Sequence, residues 1–251
     1  QLATAGNGPH IFHAPFAELS PAAIDPAIIS VVRGRFAQAC TLAAQYGIRR
    51  MVVHAGYIPH VYMPEWFVER SILFWKEFLS DKPEDFSLLL ENVLEDDPSM
   101  LLSILKGIDD SRVRLCLDVG HAFCASSVSL ENWIDHLAPC IGHVHLHNND
   151  GAFDAHAPWD QVGIPLRKLI KMLRAKAPDA TYTLEMQDAA SSLEALTMDA
   201  PEDGDAPREM LKRIFGYDDF REGQRQLIEA QLAGQDVLGV MPTGAGKSVC
   251  Y

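Results

Sequence analysis

Six short apolar runs punctuate this chain, and longer stretches with apolar residues at helical spacing separate them. The runs are HIFH (10–13), MVVHAG (51–56), FSLLLENV (86–93), VRLCLDVGH (113–121), the opening of IGHVHLHNNDGAFDAH (141–156), and TYTLEM (181–186). Between them, residues 27 to 46 carry Ile28, Val31, Val32, Phe36, Ala39 and Leu42 on one helical stripe, and Gly47 ends it. Residues 65 to 79 repeat the pattern with Trp66, Phe67, Ile72, Leu73, Trp75 and Phe78. Further helices are expected over Pro98 to Lys106, 129 to 138, and Pro165 to Lys176. Near-continuous apolar strands alternating with helices predict a parallel sheet of the α/β class.

A polar residue sits at the C-terminal end of every predicted strand. These residues are His13, His54, Glu91, Asp118, His145 and Glu185, separated by 41, 37, 27, 27 and 40 positions. Each gap is about one strand-plus-helix unit. In an α/β barrel the strand C-termini converge on one face, where active sites are built. Scattered structural residues would not choose the same end of six successive strands. Within 141–156, His143, His145 and His147 alternate with apolar residues and therefore share one side of a strand. A polar loop follows, and then Asp154 and His156, while His121 lies three residues after Asp118. Neutral imidazoles among carboxylates form the donor set of a zinc-type divalent cation.

Composition narrows the picture. The 251 residues, 48% of them hydrophobic, suit one barrel-sized domain, or one domain plus a piece of another. Net charge is −13, which disfavours a surface built to grip phosphates. The five cysteines form no CxxC pair and are odd in number, so a reducing, cytoplasmic setting is expected. No apolar run approaches the ~20 residues of a membrane span, and no membrane partner is expected. The chain starts at Gln1 and ends at Tyr251 within a motif, so an internal fragment is expected.

The last fifty residues differ in character. TMDAPEDGDAP (197–207) is acidic, with little to bury, and reads as a linker, placed at 199–207. Beyond it, two helical stretches precede the strand DVLGVM and the phosphate loop PTGAGKS. There Gly244 and Gly246 let backbone amides approach phosphate after Thr243. Lys247 would reach the β- and γ-phosphates, and the Ser248 hydroxyl would reach magnesium.

Residues 10 to about 195 resemble the xylose isomerase-like barrel superfamily through HAPF, VVHAG, LLLENV, CLDVGH, HVHLHNNDG with DAH, and TLEM. That superfamily contains sugar phosphate isomerases and epimerases, and endonuclease IV-type apurinic/apyrimidinic endonucleases. The resemblance implies a (β/α)8 TIM barrel with six of eight strands present (residues 1–198), incomplete at its N-terminus. The endonuclease branch binds three zinc ions through nine side chains, matched here by His13, His54, Glu91, Asp118, His121, His145, Asp154, His156 and Glu185. The isomerase branch commonly uses a four-ligand core, matched by Glu91, Asp118, His145 and Glu185. Zn, Mn, Co or Mg would each suit such a site.

Residues 208–251 resemble the N-terminus of RecQ-type DNA helicases. FGYDDFREGQ is similar to the family's adenine-reading motif, with Gln224 as the base contact, and MPTGAGKSVCY to helicase motif I. Glu222 stands where proline is usual, and Ala245 where a third glycine is usual. ATP with magnesium and DNA are thereby implied as ligands of the parent protein. Every later helicase motif would lie beyond Tyr251, so this stretch is expected to be non-catalytic alone.

Two chemistries compete for the barrel. An isomerase or epimerase would hold vicinal oxygens of a sugar or sugar phosphate on a divalent ion, with Glu91, Glu185 and His145 as the catalytic groups moving a proton beside the carbonyl. An endonuclease would generate hydroxide on a metal cluster and clamp a phosphodiester. Nine filled positions and the helicase segment favour the second reading. Charge favours the first: residues 1 to 200 hold 15 Lys and Arg against 25 Asp and Glu, a net of −10. Phe16 in HAPF also stands where the endonucleases tend to have a DNA-contacting tyrosine. A third reading is a non-catalytic, metal-stabilised module that positions a helicase. The small-substrate enzyme is the expectation carried forward.

Overall fold

The computed structural model describes residues 10–158 and 163–186, and then 208, 211–212, 216–221, 224–226 and 228. The chain divides into two compact units, each described by itself. The larger unit holds six strands: β1 (Ile11–His13), β2 (Arg50–His54), β3 (Ser87–Glu91), β4 (Val113–Asp118), β5 (Ile141–Leu146) and β6 (Thr181–Leu184). The helices are α1 (Pro26–Gln45), α2 (Pro64–Leu79), α3 (Ser99–Ile108), α4 (Val119–Ala125), α5 (Leu130–Leu137) and α6 (Leu166–Lys176). All neighbouring strands pair in parallel, in the order β1-β2-β3-β4-β5-β6. The strand-and-helix alternation read from the sequence is therefore the observed one. VRLCLDVGH leaves the sheet at Asp118, the expected strand end, and His121 lies on α4.

The sheet is rolled. Arg50 on β2 reaches past two intervening strands to the Gly142 carbonyl on β5, and past three to the Thr181 hydroxyl on β6, both at 3.0 Å. At the other end, the rings of His13 on β1 and His145 on β5 lie 6.0 Å apart between centroids. Val52, Leu89 and Cys116, joined by Ile11, fill the interior below the strand ends. This is a TIM-barrel-like half-barrel of six parallel strands. The four described cysteines, Cys40, Cys116, Cys124 and Cys140, are free thiols.

Outside the sheet, α1 and α2 meet through aromatic rings. Asp25 caps α1 by accepting the Ala27 amide at 2.7 Å, Pro26 suits its first turn, and Gly47 (φ 71°) leaves it. Phe36 stacks on Trp75 at 5.5 Å, with Phe74 and Phe78 edge-on to Phe36. Removing the fully buried Trp75 side chain would cost about 3–5 kcal/mol. The sequence stripe on α1 only half predicts its inner face. Val32, Phe36 and Ala39 are buried, whereas Ile28, Val31 and Leu42 are exposed and line a cleft of about 1430 Å³ beside β1, with Phe12 and Phe16. Among the described residues β1 pairs only with β2, so this side of α1 faces no further strand or helix.

In the smaller unit, Leu211, Gln224 and Ile228 are buried, and the Gln224 Oε1 accepts the Arg221 amide at 2.8 Å. The phosphate-loop positions Thr243, Gly244, Gly246, Lys247 and Ser248 lie outside the described residues.

Candidate metal centre

The six strand-end residues do meet at one end of the sheet. Parallel register sets this directly: His54 lies opposite Glu91, and Asp118 opposite His145. Glu185 lies one residue past β6, its amide donating to the Leu146 carbonyl. Asn92 fixes the spacing of two of these ends. Its side chain donates to the Asp118 carbonyl and accepts the Asp118 amide, each at 2.8 Å, so Glu91 and Asp118 are held as neighbours.

Five groups form in which one donor atom per residue lies within 4.8 Å of the others. Three of them together hold the expected ligands: His13, His54 and Glu91; Asp118, His145 and Glu185; and His121, His147, Asp154 and His156. Glu91, Asp118 and His121 form a fourth, and Cys116, His143 and His145 a fifth. Glu91 links the first two of the three. Its Oε2 lies 3.1 Å from His13 Nε2 and 3.6 Å from His54 Nε2, and its Oε1 lies 3.1 Å from His145 Nδ1. On its other side His145 Nδ1 lies 3.2 Å from Glu185 Oε1 and 3.7 Å from Asp118 Oδ2. All nine residues of the expected ligand set thus fall into one connected region. His147 is a tenth that the sequence reading did not place in the set. Its signal was present, since it follows His145 by two positions on the same side, but it lies past the last strand residue.

Do these residues fit a divalent cation? The histidine tautomers say that they do. His13 Nδ1 contacts the Ala14 carbonyl at 2.8 Å, His121 Nδ1 the Asn92 carbonyl at 2.9 Å, and His156 Nδ1 the Glu185 carbonyl at 2.6 Å. A carbonyl can only accept, so each Nδ1 carries the proton. The other nitrogen, Nε2, faces a carboxylate in each case: His13 to Glu91 at 3.1 Å, His121 to Asp154 at 3.2 Å, and His156 to Asp154 at 3.1 Å. Two acceptors at that range need a cation between them or a second proton on each ring. Ligands bound at about 2.0–2.1 Å in a tetrahedron stand roughly 3.3 Å apart. Carbonyl support of the remote nitrogen is also how metal-bound histidines are usually held.

Protons respond to the same field. Burial works to lower His121, but the hydrogen bond and charge of Asp154 and the charges of Asp118 and Glu91 outweigh it, raising the pKa to about 10. His13, His145 and His147 are likewise raised, their carboxylate partners overcoming burial. Burial wins at His54, lowered to about 4. The two glutamates part company. Burial pushes Glu91 up, but hydrogen bonds from His13 and His145 hold it well below the usual carboxylate range. Glu185 is raised, burial prevailing over His145.

Beneath the centre lies His143, the third histidine of the strand pattern. Both its nitrogens are engaged, Nδ1 with the Thr181 hydroxyl at 2.7 Å and Nε2 with the Thr183 hydroxyl at 2.9 Å. Burial, with His145 and Arg50 nearby, lowers its pKa to about 3, so it is a neutral floor to the site. Glu95 is another group the sequence reading passed over. It is fully buried behind His121, and burial raises it to about 7. Phe16 stacks on His54 at 4.3 Å and closes the β1 side of the mouth.

Comparison with known proteins bears on the fold and the family. The TTHB071 protein of Thermus thermophilus, from crystals soaked with ZnCl2, superposes with a TM-score of 0.58 at 27% identity over 70% of each chain. A D-tagatose 3-epimerase-like protein reaches a TM-score of 0.64 at 24% identity over 74% of this chain and 73% of its own, which speaks to fold alone. Uncharacterized protein MJ1311 of Methanocaldococcus jannaschii is 28% identical over 201 residues, 74% of this chain and 68% of its own length. A separate stretch of 42 residues, 17% of this chain, is 60% identical to the ATP-dependent DNA helicase RecQ of Haemophilus influenzae. The chain spans only 7% of that helicase's length. The family model described as xylose isomerase-like TIM barrel matches residues 3–214, and the chain belongs to that family.

Proposed function

We propose that the barrel is a divalent-metal-dependent isomerase or epimerase acting on a sugar or sugar phosphate. In this reading residues 1–198 form the barrel and 199–207 a linker. Residues 208–251 open a RecQ-like helicase whose phosphate loop, Thr243 to Ser248, takes ATP with magnesium and whose later parts act on DNA. The observation that carries the barrel's assignment is the pair of glutamates on either side of His145. Glu91 Oε1 and Glu185 Oε1 lie 3.1 and 3.2 Å from the same nitrogen, with proton affinities displaced in opposite directions. Two carboxylates so separated supply a base and an acid on two faces of one substrate.

Glu91, Asp118, His145 and Glu185 would hold the ion. When bound, a divalent cation polarises the carbonyl and neighbouring hydroxyl of a sugar and steadies negative charge as it develops there. Glu91, held ionised, takes the proton from the carbon beside the carbonyl. Glu185, which keeps a proton more readily, returns one to the opposite face, and the roles exchange for the reverse epimer. His145 touches both carboxylates and keeps them apart. Phe16, stacked on His54, offers an apolar face at the β1 side.

The test is incorporation of solvent deuterium into ketoses and sugar phosphates by the metal-loaded protein. Wild type should exchange one carbon-bound hydrogen. Glu185→Gln should lose at least ~100-fold in rate. No exchange in any substrate with metal present would remove the assignment.

A second reading stands on a different observation. All nine residues matching the three-zinc endonuclease set are gathered in adjacent groups. That supports a polynuclear site and a phosphodiesterase acting at abasic DNA.

A further inference from the structure

We propose that His147 is a fourth protein ligand at the Asp154 cluster. It would turn that position into a closed site of three imidazoles and one carboxylate, and Gly120 is what seats it. This rests on the metal-binding reading above and adds a residue to it. The cluster comprises His121 from α4, His147 just past β5, and Asp154 and His156 from the following loop. Three Nε2 atoms face one carboxylate: His156 at 3.1 Å and His121 at 3.2 Å from Asp154 Oδ2, and His147 at 3.6 Å from Oδ1. Three nitrogens and one oxygen complete a tetrahedron, and a site with four protein ligands has no position left for water or substrate.

Packing, rather than a hydrogen bond, orients the His147 ring. Its Nδ1 is buried without a hydrogen-bond partner, and all polar neighbours of its Nε2 belong to the centre. One face lies parallel to His156, with centroids 3.9 Å apart and planes within 8°. Both rings turn Nε2 toward the Asp154 carboxylate. The ring also fills the space where residue 120 would carry a side chain. A Cβ on Gly120 would stand 1.9 Å from His147 Cε1 and 2.4 Å from either ring nitrogen. No side chain fits there with the ring in place, so the glycine of CLDVGH is needed for the imidazole. His147 Nε2 also lies 3.0 Å from Asp118 Oδ1, and this sets the rival role of merely positioning Asp118.

The experiment uses the whole chain, loaded with Zn²⁺ or Co²⁺ and dialysed. Metal is counted by elemental analysis, and the Co²⁺ visible spectrum is recorded. Wild type should show strong four-coordinate cobalt absorption. His147→Ala should lose one metal per chain or bind it at least ~10-fold more weakly, and added imidazole should restore the spectrum. Gly120→Ala, which deletes no ligand, should show the same loss by displacing the ring. In a His156→Ala background, where this position is already emptied, His147→Ala should cost no further metal. Unchanged stoichiometry, affinity and spectrum in both single variants would overturn the proposal while leaving metal dependence intact. Further metal loss in the His156→Ala background would overturn it in favour of an Asp118-positioning role. A wild-type protein that binds no metal would overturn both readings.

Discussion

Asp118 caps the helix that carries His121: its Oδ1 accepts the His121 amide at 2.7 Å. One carboxylate thus ends β4, starts α4, and faces the imidazoles of His145 and His147. The D-x-x-H spacing is a capping spacing, because an N-cap side chain reaches the amide three residues on. It holds two candidate metal groups in fixed relation with no intervening loop.

This double duty separates two substitutions. Asp118→Asn keeps a capping oxygen and should fold, yet lose the ion of the four-residue core. Asp118→Ala should lose the cap as well, at a further cost of about 1 kcal/mol. Thermal unfolding with and without chelator, beside metal counts, checks both. Wild-type metal affinity in Asp118→Asn would remove Asp118 from the ligand set.

Much of this centre is legible in the sequence because two periods coincide there. Parallel strands put residues of equal rank at one level, so six polar residues at six strand ends had to meet. What is not legible depends on contacts made after the strands end. His147 and Gly120 are neighbours only because α4 turns back over the end of β5. His143 belongs to the same alternation as His145, yet two threonine hydroxyls on β6 satisfy it, and only the pairing of β5 with β6 reveals them. The exposed face of α1 shows the opposite failure. Its stripe of Ile28, Val31 and Leu42 is apolar and periodic, yet no described element covers it.

Glu95 should give the barrel a pH dependence of its own. Burial raises this carboxyl to about 7 from 4.5, and its Oε1 has no hydrogen-bond partner. A raised folded-state pKa contributes stability that is fully present below pH 4.5 and is lost as pH rises through about 7. The loss should be no more than about 3 kcal/mol, since each tenfold change in proton affinity is worth ~1.4 kcal/mol. Glu95→Gln cannot ionise and should flatten this part of the profile, making the variant the more stable protein at pH 8. Parallel denaturation profiles of the two proteins from pH 4 to 8 would contradict the buried neutral carboxyl.

Thr181 joins the floor of the site to the underside of the barrel. Its hydroxyl meets His143 Nδ1 at 2.7 Å and the Arg50 guanidinium at 3.0 Å. Thr181→Val keeps the shape and removes both bonds, together with the hydroxyl's donation to the Gly142 carbonyl at 3.4 Å, leaving a buried imidazole nitrogen unpaired. A loss of about 1–3 kcal/mol is expected in chemical denaturation. Metal content should not change, because both nitrogens of His143 are occupied by threonine hydroxyls. A drop in metal content with stability unaffected would place His143 among the ligands instead.

Salt dependence decides between the two chemistries of the barrel. An abasic-site endonuclease must neutralise phosphates with Lys and Arg, and its activity then falls steeply with salt as counterion release loses its drive. Six such contacts would cost about 10³-fold in affinity between 50 and 200 mM salt. An enzyme binding one sugar makes few or none. Residues 1 to 200 carry a net charge of −10, and in the loops that follow β1, β2 and β5 Phe16, Ile58, Val61, Met63 and Phe153 are exposed and apolar. Under the proposed reading the RecQ-like stretch belongs to a DNA-binding protein, so the comparison needs matched proteins with and without residues beyond Leu196. Sugar turnover that varies less than about two-fold across this range, in both proteins, is the expected result. Metal-dependent nicking of an abasic strand that collapses with salt, seen without the helicase segment and without turnover of any sugar, would instead make the three ligand groups a phosphodiesterase centre.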